Sequence, residues 1–449
     1  MNRFAVVLAV FVFCFLVCPA RAEGPAPAPA PKKAFDWGGD LRLRSENFDD
    51  IPISADPPGI TRGGKNVYFR GRTRIWGQYS FSDYVLFKAR LVNEFRSYEN
   101  GRGTNTYDWP DEWVFDNLYF DLKNVIQDKL DIRIGRQELI YGTGRVILEG
   151  NPLDGSRTIY FNAVKASWKV EQNTVADILG IWNKAEDELA INSQDRDLVG
   201  LVGKFPTDMV ESGGGVYVKN ASIKKMPLEA YYLFKNESDY EWTDAQGVLQ
   251  TQPDDLNLHT LGFRLMPKFT ENLTGNLEAA GQLGKRGDQD VSGWMVDAKL
   301  SQNFPTAGSV DPTASIGFYH LSGDDPDSAD DEGWNPLWAR YPQQSELYVY
   351  AWDADGAGRW SNTTLPYAGV DVAFGKKVSL NLLGGWMMAP EEDGPGGGNG
   401  RGALYTAWLK FKINDTWFGH LLGEFVDPGD YYLVDDTAYF ARLEFSCIF

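Results

Sequence analysis

The stretch from Val67 to Arg96 constrains this chain more than any other. One row of its first half reads Val67, Phe69, Gly71, Thr73, Ile75, Gly77 and Tyr79. The other reads Tyr68, Arg70, Arg72, Arg74, Trp76 and Gln78. After Ser82-Asp83 the alternation resumes, with Phe87, Ala89, Leu91, Asn93 and Phe95 on one row. Lys88, Arg90, Val92, Glu94 and Arg96 form its counterpart. Successive strand side chains point to opposite faces, so the stretch predicts a hairpin with one apolar and one charged face. Each arm runs about a dozen residues, beyond the usual strand of five or six, and strands of about ten tilted residues cross a bilayer. An apolar face beside an arginine-rich face suits the wall of a transmembrane barrel, with lipid on one side and water on the other.

The remainder of the chain is consistent with that wall. Arg3, the apolar run Phe4–Val17 and Ala20-Arg21-Ala22 form a secretory signal peptide over residues 1–22. Residues 23–35 form a Pro/Ala-rich linker, and 36–449 are assigned to the barrel. Two of the three cysteines, Cys14 and Cys18, fall in the leader, which excludes a cysteine metal cluster. No other stretch reaches 18 apolar residues, so a membrane reading requires strands. The aromatic content of 14% matches the girdles that such barrels carry at both interfaces.

About eighteen strand-like segments alternate with short turns and long polar connections between Trp37 and Phe449. The expectation is an all-β, antiparallel transmembrane barrel of about 18 strands, integral to a bacterial outer membrane, with both termini periplasmic. The region 185–213 is ambiguous, because Leu198–Phe205 reads either as a strand or as part of an outer loop. The closing segment sets Tyr439, Leu443, Phe445, Cys447 and Phe449 against Arg442, Glu444 and Ser446. A terminal strand of that form resembles the signal read by the barrel-assembly machinery.

Catalytic chemistry finds no support. The histidines His259, His320 and His420 lack metal-ligand spacing, and no G-x-S-x-G elbow occurs. No cofactor is expected. The net charge of −19 argues against nucleic acid as a partner. Asp324, Asp325, Asp327, Asp330 and Asp331 form an acidic loop with oxygen ligands for Ca²⁺ but without EF-hand spacing, and a solvated acidic run explains it better. The informative set is the charged row: Arg42, Arg44, Arg70, Arg72, Arg74, Lys88, Arg90 and Arg96, with Arg133, Arg136, Lys165 and Arg442 as further lumen candidates. Lys169, Arg264, Lys299, Lys410 and Lys412 extend the same rows. A basic wall in a low-dielectric lumen attracts anions, or else balances carboxylates and stiffens the wall.

The run Ile134-Gly135-Arg136-Gln137-Glu138-Leu139, followed by Tyr141-Gly142-Thr143-Gly144-Arg145, resembles the "GRQ" signature of the alginate export family of outer-membrane barrels. Phe161-Asn162-Ala163-Val164-Lys165 is similar to a later strand of that family, with Asn162 where an aspartate is usual. Gly419-His420-Leu421-Leu422 and Glu424–Tyr432 resemble its penultimate strand and the loop beyond. The resemblance implies an eighteen-stranded porin with an arginine-rich constriction and no enzymatic activity. It implies passive export of an alginate-like anionic polysaccharide. An anion-selective or substrate-specific uptake porin, whose partners are small anions and outer-membrane lipid, is the alternative. A secreted β-rich binding protein or adhesin is the alternative of another class.

Overall fold

The computed structural model describes residues 34–49, 66–100, 113–148, 160–184, 189–191, 210–238, 240–243, 249–252, 254–306, 308, 310–339, 344–347, 361–391, 396–433 and 436–449. The leader and the strand considered at Leu198–Phe205 lie outside them. The strands are β1 (Phe35–Asp49), β2 (Asn66–Ser80), β3 (Val85–Asn100), β4 (Trp113–Ile126), β5 (Leu130–Gln137), β6 (Phe161–Glu171) and β7 (Thr174–Asn183). There follow β8 (Ala190–Ile191), β9 (Glu211–Asn220), β10 (Leu228–Glu237), β11 (Tyr240–Thr243), β12 (Leu249–Gln252), β13 (Leu256–Leu265) and β14 (Leu273–Arg286). The chain ends with β15 (Gln289–Asn303), β16 (Val310–Leu321), β17 (Thr363–Phe374), β18 (Val378–Met388), β19 (Gly400–Lys412), β20 (Trp417–Asp427) and β21 (Ala438–Ile448).

Each long strand pairs antiparallel with the next, and β21 returns to β1, which closes a barrel. The sheet counts nineteen strands; setting aside the two-residue β8, which touches only the end of β4, leaves the eighteen expected. The small hairpin of β11 and β12 stands apart, in a connection that the sequence rhythm left plain. The seam between β1 and β21 runs from Asp40↔Ile448 to Asp49↔Tyr439. Phe449 extends it, exchanging hydrogen bonds of 2.9 and 3.0 Å with Gly39. In hydrocarbon an unpaired backbone group costs several kcal/mol, roughly, so closure is what allows a sheet to span lipid at all.

Connections at one end are short: 81–84, 127–129, 172–173, 221–227, 266–272, 304–309, 375–377 and 413–416. Those at the other end are long, such as 138–160 and 322–362. The exception is the two-residue turn 287–288, where Gly287 takes a φ of +58° that a side chain disfavours. Phe35, where β1 begins, and the C-terminal Phe449 both lie at the short-turn end.

The two rows of each strand separate as the alternation predicts. Leu261 and Leu283 are 69% and 70% exposed on the outer face, whereas Arg42, Arg44 and Glu46 on the inner face are at most 4% exposed. His259 lies on the outer row beside Leu261 and Phe263, and His320 also faces outward.

The barrel is not empty. Leu139, Tyr141, Val146, Ile147, Leu337 and Trp338, from two long connections, pack on inward wall residues including Phe161, Leu179, Leu233, Leu258 and Met295. The two segments join through a parallel bridge between Ile147 and Trp338. Gly213 makes room for them: a Cβ there would meet the Trp338 ring at 2.9 Å. Lys235, 1% exposed, donates to the Leu337 carbonyl at 2.7 Å and to Glu237 at 2.6 Å. A second apolar cluster sets Leu347 against Tyr68, Leu404 and Phe440. Glu424 holds this segment by accepting from Ser345 Oγ (2.6 Å) and from the amides of Glu346 (2.9 Å) and Leu347 (3.1 Å).

Trp338, 1% exposed, is a large side chain at the centre of this inner plug. Replacing it with alanine should loosen the plug by about 3–5 kcal/mol, the usual cost of emptying a buried tryptophan site. The eighteen-strand wall should persist. The expected result is a larger single-channel conductance with heat-modifiable migration retained; an unchanged conductance would show that these segments lie off the conducting path.

Candidate functional site

The inward rows of β20, β21, β1, β2 and β3 form a continuous charged wall. Register sets Arg42 opposite Arg72 and Arg44 opposite Arg70 across β1 and β2, and Arg70 opposite Arg96 across β2 and β3. Like charges directly opposite repel, so carboxylates must lie between them. Asp40 accepts from Arg72 (3.1 Å) and Arg74 (2.6 Å). Glu46 binds Arg442 at 2.6 Å and lies 3.7 Å from both Arg44 and Arg70. Glu94 takes Arg70 at 2.9 Å and Arg96 at 3.5 Å, and Glu444 takes Arg44 at 2.6 Å. Glu346, from the loop held by Glu424, reaches Arg442 at 3.1 Å.

Further round the wall, Arg90 forks onto Asp116 with two 2.8 Å hydrogen bonds and also binds Glu138. Arg133 forks onto Asp121 at 2.6 and 2.8 Å, with its guanidinium 4.0 Å from the Tyr119 ring. These charged rows therefore form a mesh of ion pairs, most of them buried. Glu444, Glu346 and Asp116 are members that sequence rows drawn on the first three strands did not supply.

Four lysines on the inward rows differ. Lys88, Lys165, Lys299 and Lys410 form no salt bridge with any described carboxylate. Lys88 lies 5.2 Å from the Trp76 ring and Lys410 lies 4.0 Å from the Trp408 ring. Lys165 faces Arg133 in register, and Lys299 faces Asn276 and Gly317. All four stand two to six residues from the short-turn ends of their strands. Arg145 was not anticipated: it rises from the plug to bind Asp297 at 2.7 Å and stacks 4.2 Å from the Tyr319 ring.

Two expectations change. Arg136 does not line the lumen. It shares the outward row with Ile134 and, across β6, with Asn162 and Val164. There it donates to Asn162 Oδ1 (3.0 Å) and the Phe115 carbonyl (2.9 Å) and lies 3.8 Å from the Tyr160 ring. Residues three apart cannot share one face of a regular strand, so Arg133 and Arg136 diverge. The acidic loop likewise turns its oxygens to its own backbone. Asp324 accepts from the Glu332 amide (3.0 Å), Asp325 from Asp327 (2.9 Å) and Asp331 from Gly333 (3.0 Å), while the Asp330 amide donates to Ser328. Among the described residues no three His, Cys, Asp or Glu side chains converge as metal ligands.

The sequence matches the alginate export family over residues 34–386, most of the wall described above. The chain belongs to the alginate export family. No curated protein matches it. Similar solved structures include a BenF-like porin of Pseudomonas fluorescens, at 12% identity and a TM-score of 0.58, covering 92% of this chain and 98% of that one. OccK2 (OpdF) of Pseudomonas aeruginosa, solved in complex with glucuronate, is 10% identical with a TM-score of 0.55, covering 92% and 96%. OpdK of the same species, solved with vanillate, is 12% identical with a TM-score of 0.54, covering 92% and 98%. At these identities the likeness concerns the fold alone. This alginate export family member is thus an integral outer-membrane barrel of the porin type, and its relatives are channels rather than enzymes.

The mesh and the lysines should respond differently to substitution. Arg44→Ala leaves Glu444 and Glu46 short of a buried partner and should cost about 3–5 kcal/mol. Lys299→Gln should stay within about 0.5 kcal/mol. Urea unfolding in detergent micelles measures both, and equal losses would show that the mesh does not brace the wall.

At the long-loop end, burial pushes the Asp331 carboxyl up from 3.8 to about 6. A raised carboxyl favours its protonated form in the fold. Its stabilisation is complete below 3.8 and is lost as pH rises through about 6. The Ser292 amide donates to the Asp331 carbonyl at 2.7 Å. After correction for intrinsic rate, that amide should exchange faster above the transition; a flat or opposite profile would refute the assignment.

Proposed function

We propose that this protein is a passive outer-membrane conduit for an anionic saccharide, oriented with its short turns and both termini in the periplasm and its long loops outside. The observation that carries the proposal is the set of lumen lysines that form no salt bridge among the described residues, Lys88, Lys165, Lys299 and Lys410, beside an arginine wall paired with carboxylates. Point charges on flexible stems suit transit, because each contact with a passing carboxylate is weak enough to release. Braced arginines keep the lumen's shape and add a positive field without competing as tight binding sites. Membership of the alginate export family supports outward passage of an alginate-like polymer as the leading case. Phe449, closing the seam against Gly39, fits a terminal strand handed over by the barrel-assembly machinery.

A second reading is uptake of small carboxylates. It is favoured by the inner plug, which narrows the lumen, and by fold neighbours solved with glucuronate and vanillate. Liposome swelling separates the two. Monomeric glucuronate entering freely while a polyuronate causes no block favours uptake.

The leading reading is tested in planar bilayers under a salt gradient. The wild type should give a reversal potential of anionic sign, and a polyuronate should partly block its current. Changing Lys88, Lys165, Lys299 and Lys410 together to glutamine should move that potential toward zero. Cation selectivity in the wild type would defeat the proposal.

A further inference from the structure

At the periplasmic mouth, between the ends of β17, β18, β19 and β20, lies a cavity of about 510 Å3. Its volume falls within the roughly 300–1,000 Å3 typical of small-ligand pockets. It differs from the rest of the lumen in chemistry. Lys376, Lys410, Trp408, Phe418 and His420 are among its lining residues, and Glu444 is their one carboxylate. Glu444 is already bound to Arg44 at 2.6 Å, so it offers little repulsion to an arriving anion. Two other lysines of the rim are occupied: Lys412 with Asp415 at 2.7 Å and Lys377 with the Ile413 carbonyl at 3.2 Å. Lys376 and Lys410 are exposed and have no such partner among the described residues.

Trp408 is half-buried on the inward row, with His420 set edge-on to it at 5.2 Å. Its indole Nε1 is fully enclosed and has no acceptor among the described residues. Buried indole N–H groups usually find one. The wall thus offers an apolar ring and two point charges within one pocket.

We propose that this cavity is a docking subsite for a single uronate residue. The carboxylate pairs with Lys410 and Lys376, and the apolar face of the sugar ring packs against the half-buried Trp408 ring. An inorganic anion would use the lysines but leave the indole idle, whereas a neutral sugar would do the reverse. The combination selects a charged saccharide. The inference rests on the conduit reading above and adds to it a place where a chain is first captured on the periplasmic side.

The experiment uses the full-length protein, inserted in planar bilayers with known orientation. A tetrameric uronate is added to one side at a time. Half-block from the periplasmic side should need about tenfold less ligand than from the outside, the factor expected of one stacked, charge-assisted contact. Trp408→Ala and Lys410→Gln should each abolish the difference, and Lys410→Arg should keep it. Folding of each variant is checked by heat-modifiable migration. Should Trp408→Ala fail to fold, the Lys410 pair decides, since that side chain is exposed near a strand end. Symmetric block in the wild type, asymmetry that survives Lys410→Gln, or equal periplasmic block by sulfate overturns the subsite. The salt-gradient reversal potential is recorded on the same channels. Anionic selectivity with symmetric block refutes the subsite alone, whereas cation selectivity refutes the conduit reading itself.

Discussion

Closure is the constraint from which the other features descend. A sheet in hydrocarbon has no water to satisfy its edges, so β1 must meet β21. The seam is continuous from Asp40↔Ile448 to Asp49↔Tyr439, and Phe449 carries it one residue further onto Gly39. Once the ring is closed, the two-residue period of every strand assigns each side chain to lipid or to lumen. A slip of one residue by β1 against its neighbours would exchange Arg42 and Arg44 with Leu41 and Leu43. An arginine at the bilayer midplane costs roughly 2–4 kcal/mol, so the arginine row itself fixes the register.

Closure also creates the interior problem that the charge mesh solves. Bringing β21, β1, β2 and β3 together sets arginine against arginine at three register positions. Buried charges are tolerable when partners and hydrogen bonds surround them, and a pair broken on one side is expensive. Asp40, Glu46, Glu94 and Glu444 sit between the guanidinium groups for that reason. The other half of the lumen is filled by apolar loop residues packed as in a soluble core, with Trp338 entering where Gly213 lacks a side chain. One half is thus braced by ions and the other by packing, while the inward lysines that form no salt bridge among the described residues stand near the short-turn end.

The alternation made much of this visible in advance. Apolar and charged rows on β1, β2 and β3, the strand number and the pairing of short-turn neighbours are all local in sequence. The same rule, applied strictly, separates Arg133 from Arg136, because an odd spacing changes face. The acidic run at 324–332, which the sequence favours as a solvated stretch over a Ca²⁺ site, takes up turns in which Asp324, Asp325 and Asp331 accept from backbone amides, a local bonding that spacing alone does not reveal.

The sequence by itself determined the period of two, the count of strands, and which row of each strand is charged. Those properties depend on neighbours one or two residues apart. Only the tertiary structure decided which charges remain available. Arg44 finds Glu444 across 400 positions of chain, Arg145 finds Asp297 across 152, and Lys235 finds the Leu337 carbonyl across 102. Ion pairing depends on distance in space, which closure and loop insertion set together. A lysine such as Lys299 and an arginine such as Arg72 therefore look alike in the alternating rows, and differ once the barrel has closed around them.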